Sequence, residues 1–410
     1  MSSTLKPGLQ DLAKQGALYP QEALLEVKKG GKQLSIGIPR ELDAYENRVV
    51  LTPESTAILV QNGHQVQVET GAGEASKFSD REYSDAGANI VYSAREAFES
   101  DLILKVDPPT PVEIGYIKPG KALISALQMA KLTPEYITAV NAKKITAVGF
   151  ELIQDKVGGM PVVRAMSEIA GSTVMLIAAE YLNSVNNGRG IILGGITGVP
   201  PTKVVILGAG TVAEFAARTA LGLGAEIKIF DKHIYKLRRI KYAIDHQAYT
   251  STIDNTYMLG EAISRADVVI GAIRAEEGRS PCVVTEEMVS TMKPDSVIID
   301  VSIDQGGCFE TSEITTHKNP IFKKYDVIHY CVPNIASRVA RTATTAFSHI
   351  FTPFLLQIGN SGGIDEMIFA NKWFMKGVYS YKGSLTNEHI ARKFNMKYKD
   401  MSLLTAAARL

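Results

Sequence analysis

Short apolar runs separated by amphipathic stretches dominate the chain from residue 34 onward. A first series consists of LSIGIP, HQVQVET, NIVYSA, DLILKVDPP, ALISALQM and ITAVGFELI, and a second of KVVILG, EIKIFD, ADVVIGAI, SVIIDVSID and DVIHYCVPN. Near-continuous apolar runs are typical of parallel strands that helices cover on both faces. The pattern therefore predicts an α/β protein with two doubly wound sheets.

The segments between these runs show helical periodicity. In LTPESTAILVQNG we expect Thr52 to cap a helix, Pro53 to open it and Gly63 to end it. The segment MSEIAGSTVMLIAAEYLNSV is helical by its spacing. Nearer the C-terminus, TATTAFSHIFTPFLLQIG predicts a helix that Pro353 kinks. Its apolar stripe consists of Phe347, Ile350, Phe351, Phe354 and Leu355.

The order of these elements predicts two domains with a cleft between them. Residues 1–33 lack strong periodicity and are expected to form an N-terminal extension. The first domain is predicted to be discontinuous, with residues 34–168 and 336–410, and the second to contain residues 169–335. The closing helices are assigned to the first domain because the second sheet is already complete at YCVPN.

Composition narrows the functional classes. The 410 residues include 44 Lys and Arg against 43 Asp and Glu, and a net charge of +1 argues against a nucleic-acid partner. Cys282, Cys308 and Cys331 are too few and too scattered for a disulfide framework or a zinc site, and no other metal site is expected. The chain shows neither a secretory signal nor about 18 uninterrupted apolar residues. We therefore expect a cytoplasmic protein without a membrane span.

A glycine-rich turn joins two of the predicted elements in VVILGAGTVAEFAARTALGLGAEIKIFDKH. Gly208 permits a tight turn after the strand, and Gly210 lets backbone N–H groups approach a pyrophosphate at the helix N-terminus. Ala213 takes the third position of the motif, which requires only a small side chain. Thr211 and Val212, which lie between Gly210 and Ala213, are also expected to contact the cofactor. The motif predicts a dinucleotide-binding Rossmann domain.

Asp231 ends the second strand of this unit, about 20 residues after the glycines. A carboxylate here accepts hydrogen bonds from an adenosine ribose and repels a ribose 2′-phosphate, which favours NAD over NADP. Lys232, next to it, weakens that preference. The alternative is a glycine-rich turn that binds no ligand.

Several segments occur together and in a fixed order: IGIPREL…ENRVVLTPE, DLILKV, MSEIAG, VVILGAGT and VSIDQGGCFE. Over residues 34–355 the chain resembles the alanine dehydrogenase family, which shares its fold with the NAD-binding subunit of proton-translocating transhydrogenases. The resemblance implies reversible, NAD-dependent oxidative deamination of a small L-amino acid, with L-alanine giving pyruvate and ammonia. It also implies a homo-oligomer, commonly a hexamer in this family.

The resemblance assigns two cations to the substrate. Arg48 corresponds to the arginine that holds the substrate carboxylate, a task suited to a bidentate guanidinium. Lys105, at the carboxyl end of its strand, corresponds to a lysine that binds substrate and polarises the 2-oxo or imine group. The alternatives are a surface ion pair for Arg48 and the capping of a sheet edge for Lys105.

Two further residues are implied to take part in catalysis. Asp304 faces the cleft near the nicotinamide and positions water or ammonia, unless it only forms a turn before two glycines. Gln128 stands where the family has its catalytic histidine. Glutamine donates a hydrogen bond but exchanges no proton near neutral pH. Among the seven histidines, His329 is the nearest substitute by motif context.

The remaining cofactor contacts are also implied by resemblance. Ser167 is placed near the nicotinamide or pyrophosphate, although capping of a helix start would also explain it. Asn334 is placed near the nicotinamide ribose, with a plain turn residue as the alternative. Ile273 is expected to pack against the cofactor.

Three functions remain open at this point. The chain is an amino-acid dehydrogenase acting on alanine or on another amino or imino acid, a transhydrogenase-like NAD module that needs a membrane partner, or a non-catalytic NAD-binding protein. The segment RAMSEIAG is of the dehydrogenase type, which favours the first.

Overall fold

A computed structural model describes residues 31–129, 131–246, 248–275 and 279–407. The predicted N-terminal extension lies outside the described residues as far as residue 30. The strands are β1 (Ser35–Ile38), β2 (Gln65–Glu69), β3 (Asn89–Val91), β4 (Leu102–Leu104), β5 (Ala122–Ser125), β6 (Thr146–Gly149), β7 (Lys203–Leu207), β8 (Glu226–Asp231), β9 (Tyr249–Thr252), β10 (Val268–Gly271), β11 (Val297–Asp300), β12 (Ile321–Lys324), β13 (Val327–Tyr330), β14 (Val378–Tyr381) and β15 (Ser384–Leu385).

Helices connect the strands along the chain. They are α1 (Pro53–Gln61), α2 (Asp80–Asp85), α3 (Ala94–Phe98), α4 (Pro111–Tyr116), α5 (Pro134–Ala142), α6 (Pro161–Leu182), α7 (Thr211–Gly222), α8 (Ile234–Ala243), α9 (Thr256–Arg265), α10 (Glu286–Ser290), α11 (Ala340–Ser361), α12 (Ile364–Ala370), α13 (Lys372–Met375), α14 (Glu388–Phe394) and α15 (Met401–Ala407). Helix α1 confirms the predicted signals, since the Thr52 side chain accepts a hydrogen bond from Ser55 N and Gly63 has φ 85°.

The strands form two sheets, and both are mainly parallel. The first has the order β15-β14-β6-β5-β4-β1-β2-β3, and the second β12-β13-β11-β10-β7-β8-β9. The predicted α/β class with two doubly wound sheets is confirmed. In each sheet the strand order extends to opposite sides of a central parallel pair, which is β1 and β4 in the first sheet and β7 and β10 in the second. Ligands of open α/β sheets bind at the carboxyl ends of such pairs.

Four strands were not among the predicted ones. Strand β9 has the polar sequence YTST, and β12 and the β14–β15 hairpin pair antiparallel to their neighbours at sheet edges. Strand β14 is buried but lies in a segment whose mixed polar composition hides it. Short edge strands carry little of the apolar signal on which the prediction rests.

Helix α11 packs on the first sheet. Phe347, Phe351 and Leu355 are buried in the same core as Ile36. The helix continues through Pro353. Strands β14 and β15 belong to the first sheet as well. The boundaries predicted at residues 168 and 335 stay predictions.

Helix α6 leads from the first sheet to the second. It is the one helix in the described part of the chain whose length and apolar composition would suit a membrane span. A Cβ added at Gly171 would lie 2.4 Å from Val212 O, so the glycine lets α6 approach α7 closely. This packing accounts for the apolar composition of α6.

Candidate active site

The glycine-rich turn lies at the carboxyl end of β7. Gly208 has φ 105°, and a Cβ there would lie 2.4 Å from Ala272 O. Gly210 precedes the first residue of α7, and a Cβ added there would meet nothing within 4 Å. Ala213 is fully buried under the turn. The turn therefore leaves open space at the N-terminus of α7, a geometry that suits an anionic pyrophosphate.

Asp231, at the end of β8, is buried and tied to this turn. Its Oδ2 accepts a hydrogen bond from Ala209 N at 2.8 Å, and its Oδ1 accepts one from His233 N at 2.7 Å. The His233 Nδ1 lies 3.1 Å from the same Oδ1. Because each carboxylate oxygen accepts two hydrogen bonds, capacity for a ribose hydroxyl remains. The sequence did not reveal that Asp231 also holds the turn in shape.

Three other predicted cofactor residues lie near the glycine-rich turn, at the carboxyl ends of the strands of the second sheet. Thr211 and Val212 are the first two residues of α7. Ile273 follows β10 beside the turn, and its N–H donates to Ser302 Oγ at 3.0 Å. Ser167 lies inside α6, which begins at Pro161, so the expectation that it caps a helix start is wrong.

Asn334 connects the two halves of the site. Its backbone is left-handed, with φ 59°, and its Nδ2 donates to Glu46 Oε2 at 2.8 Å. The residue thus contacts the loop after β1 in the first domain. Its predicted position near a nicotinamide ribose stays a prediction.

Arg48 is nearly buried and held by a carboxylate of its own loop. Its Nε and Nη2 donate to Glu46 at 2.7 and 2.5 Å. Its Nη1 lies 3.5 Å from Met166 Sδ, a weak acceptor, and its Cζ lies 5.3 Å from the ring centre of Phe347. Burial opposes the charge, but Glu46 outweighs it and raises the pKa of Arg48. The pair is a buried one, which excludes the surface ion pair considered from the sequence.

Lys105, directly after β4, is 2% exposed and lies between two carboxyl groups. Its Nζ is 2.5 Å from Glu41 Oε2 and 3.9 Å from Glu113 Oε1. Burial raises the pKa of Glu41 to about 7, against the opposing charge of Lys105. Burial also disfavours the ammonium, but the two carboxyls outweigh it and raise the pKa of Lys105. Lys105 therefore remains a cation at the end of the strand.

Gln128 follows β5 in a left-handed conformation, with φ 48°. Its N–H donates to Glu151 Oε1 at 2.9 Å, and its Nε2 donates to Asp107 Oδ1 at 2.7 Å. Burial and the charge of Glu46 raise the pKa of Asp107. Sequence reasoning missed Asp107, whose signal is its place two residues after Lys105 at the same strand end.

Asp304 follows β11 in a 3₁₀ turn, Val301–Gln305, and is exposed to solvent. Desolvation of the carboxyl by neighbouring protein groups raises the pKa of Asp304 to about 6, while the charges of Lys131 and Arg48 and the N–H of Asn334 oppose the increase. Asp304 of the second sheet therefore lies within electrostatic reach of cations from the first. Gln128 bonds Asp107, which lies beside Lys105 and in the electrostatic field of Arg48, and Arg48 also acts on Asp304.

His329 is not part of this cleft. It is fully buried in β13, with Nε2 2.8 Å from Thr311 Oγ1 and Nδ1 2.9 Å from Val327 O. The suggestion that it replaces a catalytic histidine is therefore wrong. In the ranges described, no group of three or more His, Cys, Asp or Glu side chains could hold a metal ion.

Comparisons with known proteins cover both sheets. The family described as "Alanine dehydrogenase/PNT, N-terminal domain" matches residues 37–170, and its C-terminal counterpart matches residues 174–388. An alanine dehydrogenase of Methanococcus maripaludis is 39% identical over 367 residues, which is 88% of this chain and 97% of that protein. One of Bacillus subtilis is 39% identical over 364 residues, which is 88% of this chain and 95% of that protein.

Solved structures agree with these matches. The structure of an L-alanine dehydrogenase has a TM-score of 0.83 at 33% identity and covers 88% of this chain and 98% of its own. A transhydrogenase structure from Sinorhizobium meliloti has a TM-score of 0.74 at 26% identity and covers 87% of this chain and 99% of its own.

Proposed function

The chain belongs to the alanine dehydrogenase/PNT family, and we propose that it catalyses the reversible, NAD-dependent oxidative deamination of L-alanine to pyruvate and ammonia. The supporting observation is that Asn334, after the last parallel strand of the second sheet, donates to Glu46, the carboxylate that also holds Arg48. Relatives named alanine dehydrogenase at 39% identity favour this reaction over a transhydrogenase-like module.

The first domain binds the amino acid in this proposal. Arg48 retains Nη1 for a substrate carboxylate, because its Nε and Nη2 already bond Glu46. Lys105 offers its ammonium at the neighbouring strand end, where Glu41 and Glu113 share it. A planar guanidinium and an ammonium together fix one orientation of a carboxylate.

The second domain supplies the oxidant. The open space at Gly210 and the carboxylate of Asp231 fit a dinucleotide, and NAD when bound accepts a hydride from the substrate Cα. Asp304 orients the water that attacks the resulting imine carbon. Closure of the cleft excludes bulk water during hydride transfer.

The assembly and location follow from the same proposal. We expect a cytoplasmic homo-oligomer, a hexamer as in the family that the sequence resembles. Size-exclusion chromatography with light scattering of the full chain measures the mass directly, and a monomer would contradict this part of the proposal.

The test is a substrate screen with the purified full chain. NADH formation is followed with NAD and a panel of L-amino acids, and its consumption with 2-oxo acids and ammonium. We expect L-alanine and pyruvate to give the highest kcat/KM. Binding of NADH without turnover of any amino acid would instead indicate a non-catalytic NAD-binding protein. Arg48→Met serves as the paired variant and should weaken alanine and pyruvate binding while leaving NADH affinity unchanged.

A further inference from the structure

Asp107 has a free carboxylate oxygen at the substrate end of the first sheet. Its Oδ1 accepts a hydrogen bond from Gln128 Nε2 at 2.7 Å. No donor among the described residues reaches its Oδ2. The backbone N–H of Asp107 donates to Glu41 Oε2 at 3.2 Å, which fixes the residue beside Lys105.

Three neighbouring carboxylates accept hydrogen bonds at both oxygens. Both Glu46 oxygens bond Arg48. Glu41 accepts hydrogen bonds from Lys105 and from the backbone N–H groups of residues 106 and 107. Glu151 accepts the backbone N–H groups of residues 127 and 128. Glu113 Oε1 also lacks a hydrogen bond, but it lies 3.9 Å from Lys105 Nζ. Asp107 Oδ2 has neither a hydrogen bond nor an ion pair with any of the described residues.

The surroundings set the proton affinity of this group. The charged groups that face it are Glu46, Asp43, Glu41, Lys105 and Arg48. Burial raises the pKa of Asp107, Glu46 and Asp43 add to the increase, and Lys105 and Arg48 oppose it. An aspartate with a raised pKa exchanges protons closer to neutral pH than an ordinary one. Gln128, which contacts it, has no proton to exchange.

We propose that Asp107 is the proton acceptor of the deamination and that Gln128 is its positioning residue. The inference rests on the proposed function. The carboxylate takes a proton from the substrate ammonium, and the neutral amine forms the C=N bond as its Cα hydride leaves for bound NAD. Water oriented by Asp304 adds to the imine carbon and releases one proton to solvent.

The same carboxyl completes the reaction. Asp107 returns its proton to the nitrogen of the carbinolamine and then takes the hydroxyl proton as the C–N bond breaks and ammonia leaves. That proton passes to solvent, and ammonia takes one proton from solvent. The sum is alanine, NAD⁺ and water giving pyruvate, ammonium, NADH and one proton.

The proposal has a defined pH signature. Asp107 must be ionised to accept a proton, so kcat/KM for L-alanine falls as the pH drops through its pKa. Asp43→Asn removes a charge that raises this pKa, so the acidic limb should move to lower pH. Gln128→Ala removes a hydrogen bond to the ionised form, so the limb should move to higher pH.

The direct variant is Asp107→Asn, which keeps the shape and an acceptor for Gln128 but loses the exchangeable proton. We expect kcat to fall by about 10²–10⁴, with NADH binding and thermal unfolding unchanged. Asp43→Asn is the matched control, because it removes one negative charge from an exposed neighbour. It should keep the wild-type rate at its optimal pH.

Each outcome decides between the alternatives. If the wild type oxidises alanine and Asp107→Asn is equally active with an unchanged acidic limb, the inference is overturned and the proposed function stands. If the wild type turns over no amino acid, both are overturned. If Asp107→Asn does not fold, the limb shifts of Asp43→Asn and Gln128→Ala decide, and the absence of both shifts would overturn the role of Asp107.

Discussion

The two predicted substrate cations are buried and already paired within the protein. A buried charge is costly unless carboxylates and hydrogen bonds compensate it, and Glu46 and Glu41 do so for Arg48 and Lys105. Both cations were assigned from the sequence by resemblance, and Lys105 also by its place at a strand end. It did not indicate the pairing of Lys105 with Glu41, because 64 residues separate them in the chain.

Asp231 gives a prediction about cofactor choice. Asp231→Arg should shift the ratio of kcat/KM toward NADP, because a cation replaces a carboxylate that repels a 2′-phosphate. The variant also loses the hydrogen bonds to Ala209 and His233, so NAD affinity should fall.

The control for this prediction is Asp231→Asn, which keeps an acceptor but removes the charge. It removes the repulsion of a 2′-phosphate without supplying a cation to bind one, so its preference for NAD should fall less than in Asp231→Arg. Unchanged NAD affinity in Asp231→Arg would show that the carboxylate does not contact the ribose.

The glycine-rich turn between β7 and α7 illustrates how two glycines of one motif have different physical reasons. Gly208 is required by the backbone, since it has a positive φ and no room for a Cβ beside Ala272 O. Gly210 has φ −84° and open space around it, so the fold alone would accept a side chain there. A ligand that approaches the helix N-terminus would explain why residue 210 is a glycine.

These two positions form a matched pair of variants. Gly208→Ala should destabilise the chain by about 1–3 kcal/mol, which lowers the thermal unfolding temperature. Gly210→Ala should unfold like the wild type but bind NADH more weakly, because its methyl group occupies the approach of the pyrophosphate. Equal NADH affinity in Gly210→Ala and the wild type would contradict the placement of the cofactor at this turn.

Sequence patterns predicted the buried parallel strands better than the strands at the sheet edges. Buried parallel strands are apolar over their whole length, so the runs that lead to β1 and β7 were recognised. Edge strands such as β12 and β15 are short or partly polar and gave no such signal. The predicted helix start near Ser167 was wrong because α6 begins earlier, at Pro161, where proline at the first helical position is the signal.

The whole molecule places the carboxyl ends of two sheets against each other. Asn334 Nδ2 bonds Glu46, Ser337 Oγ donates to Tyr45 O at 2.6 Å, and Asn47 N donates to Ser337 Oγ at 2.9 Å. These contacts join the loop after β1 to the segment that enters α11. The cleft was predicted from the two sheets, but contacts between residues about 290 positions apart have no local sequence signal.

A crystal structure of the full chain with NADH and pyruvate would test the proposed site most directly. We predict that the pyruvate carboxylate lies on Arg48 and Lys105 of the first domain. Its C2 carbon should face the nicotinamide ring carried by the second domain, with Asp304 at the same gap. Pyruvate bound elsewhere, or Arg48 and Lys105 directed away from the nicotinamide ring, would contradict it.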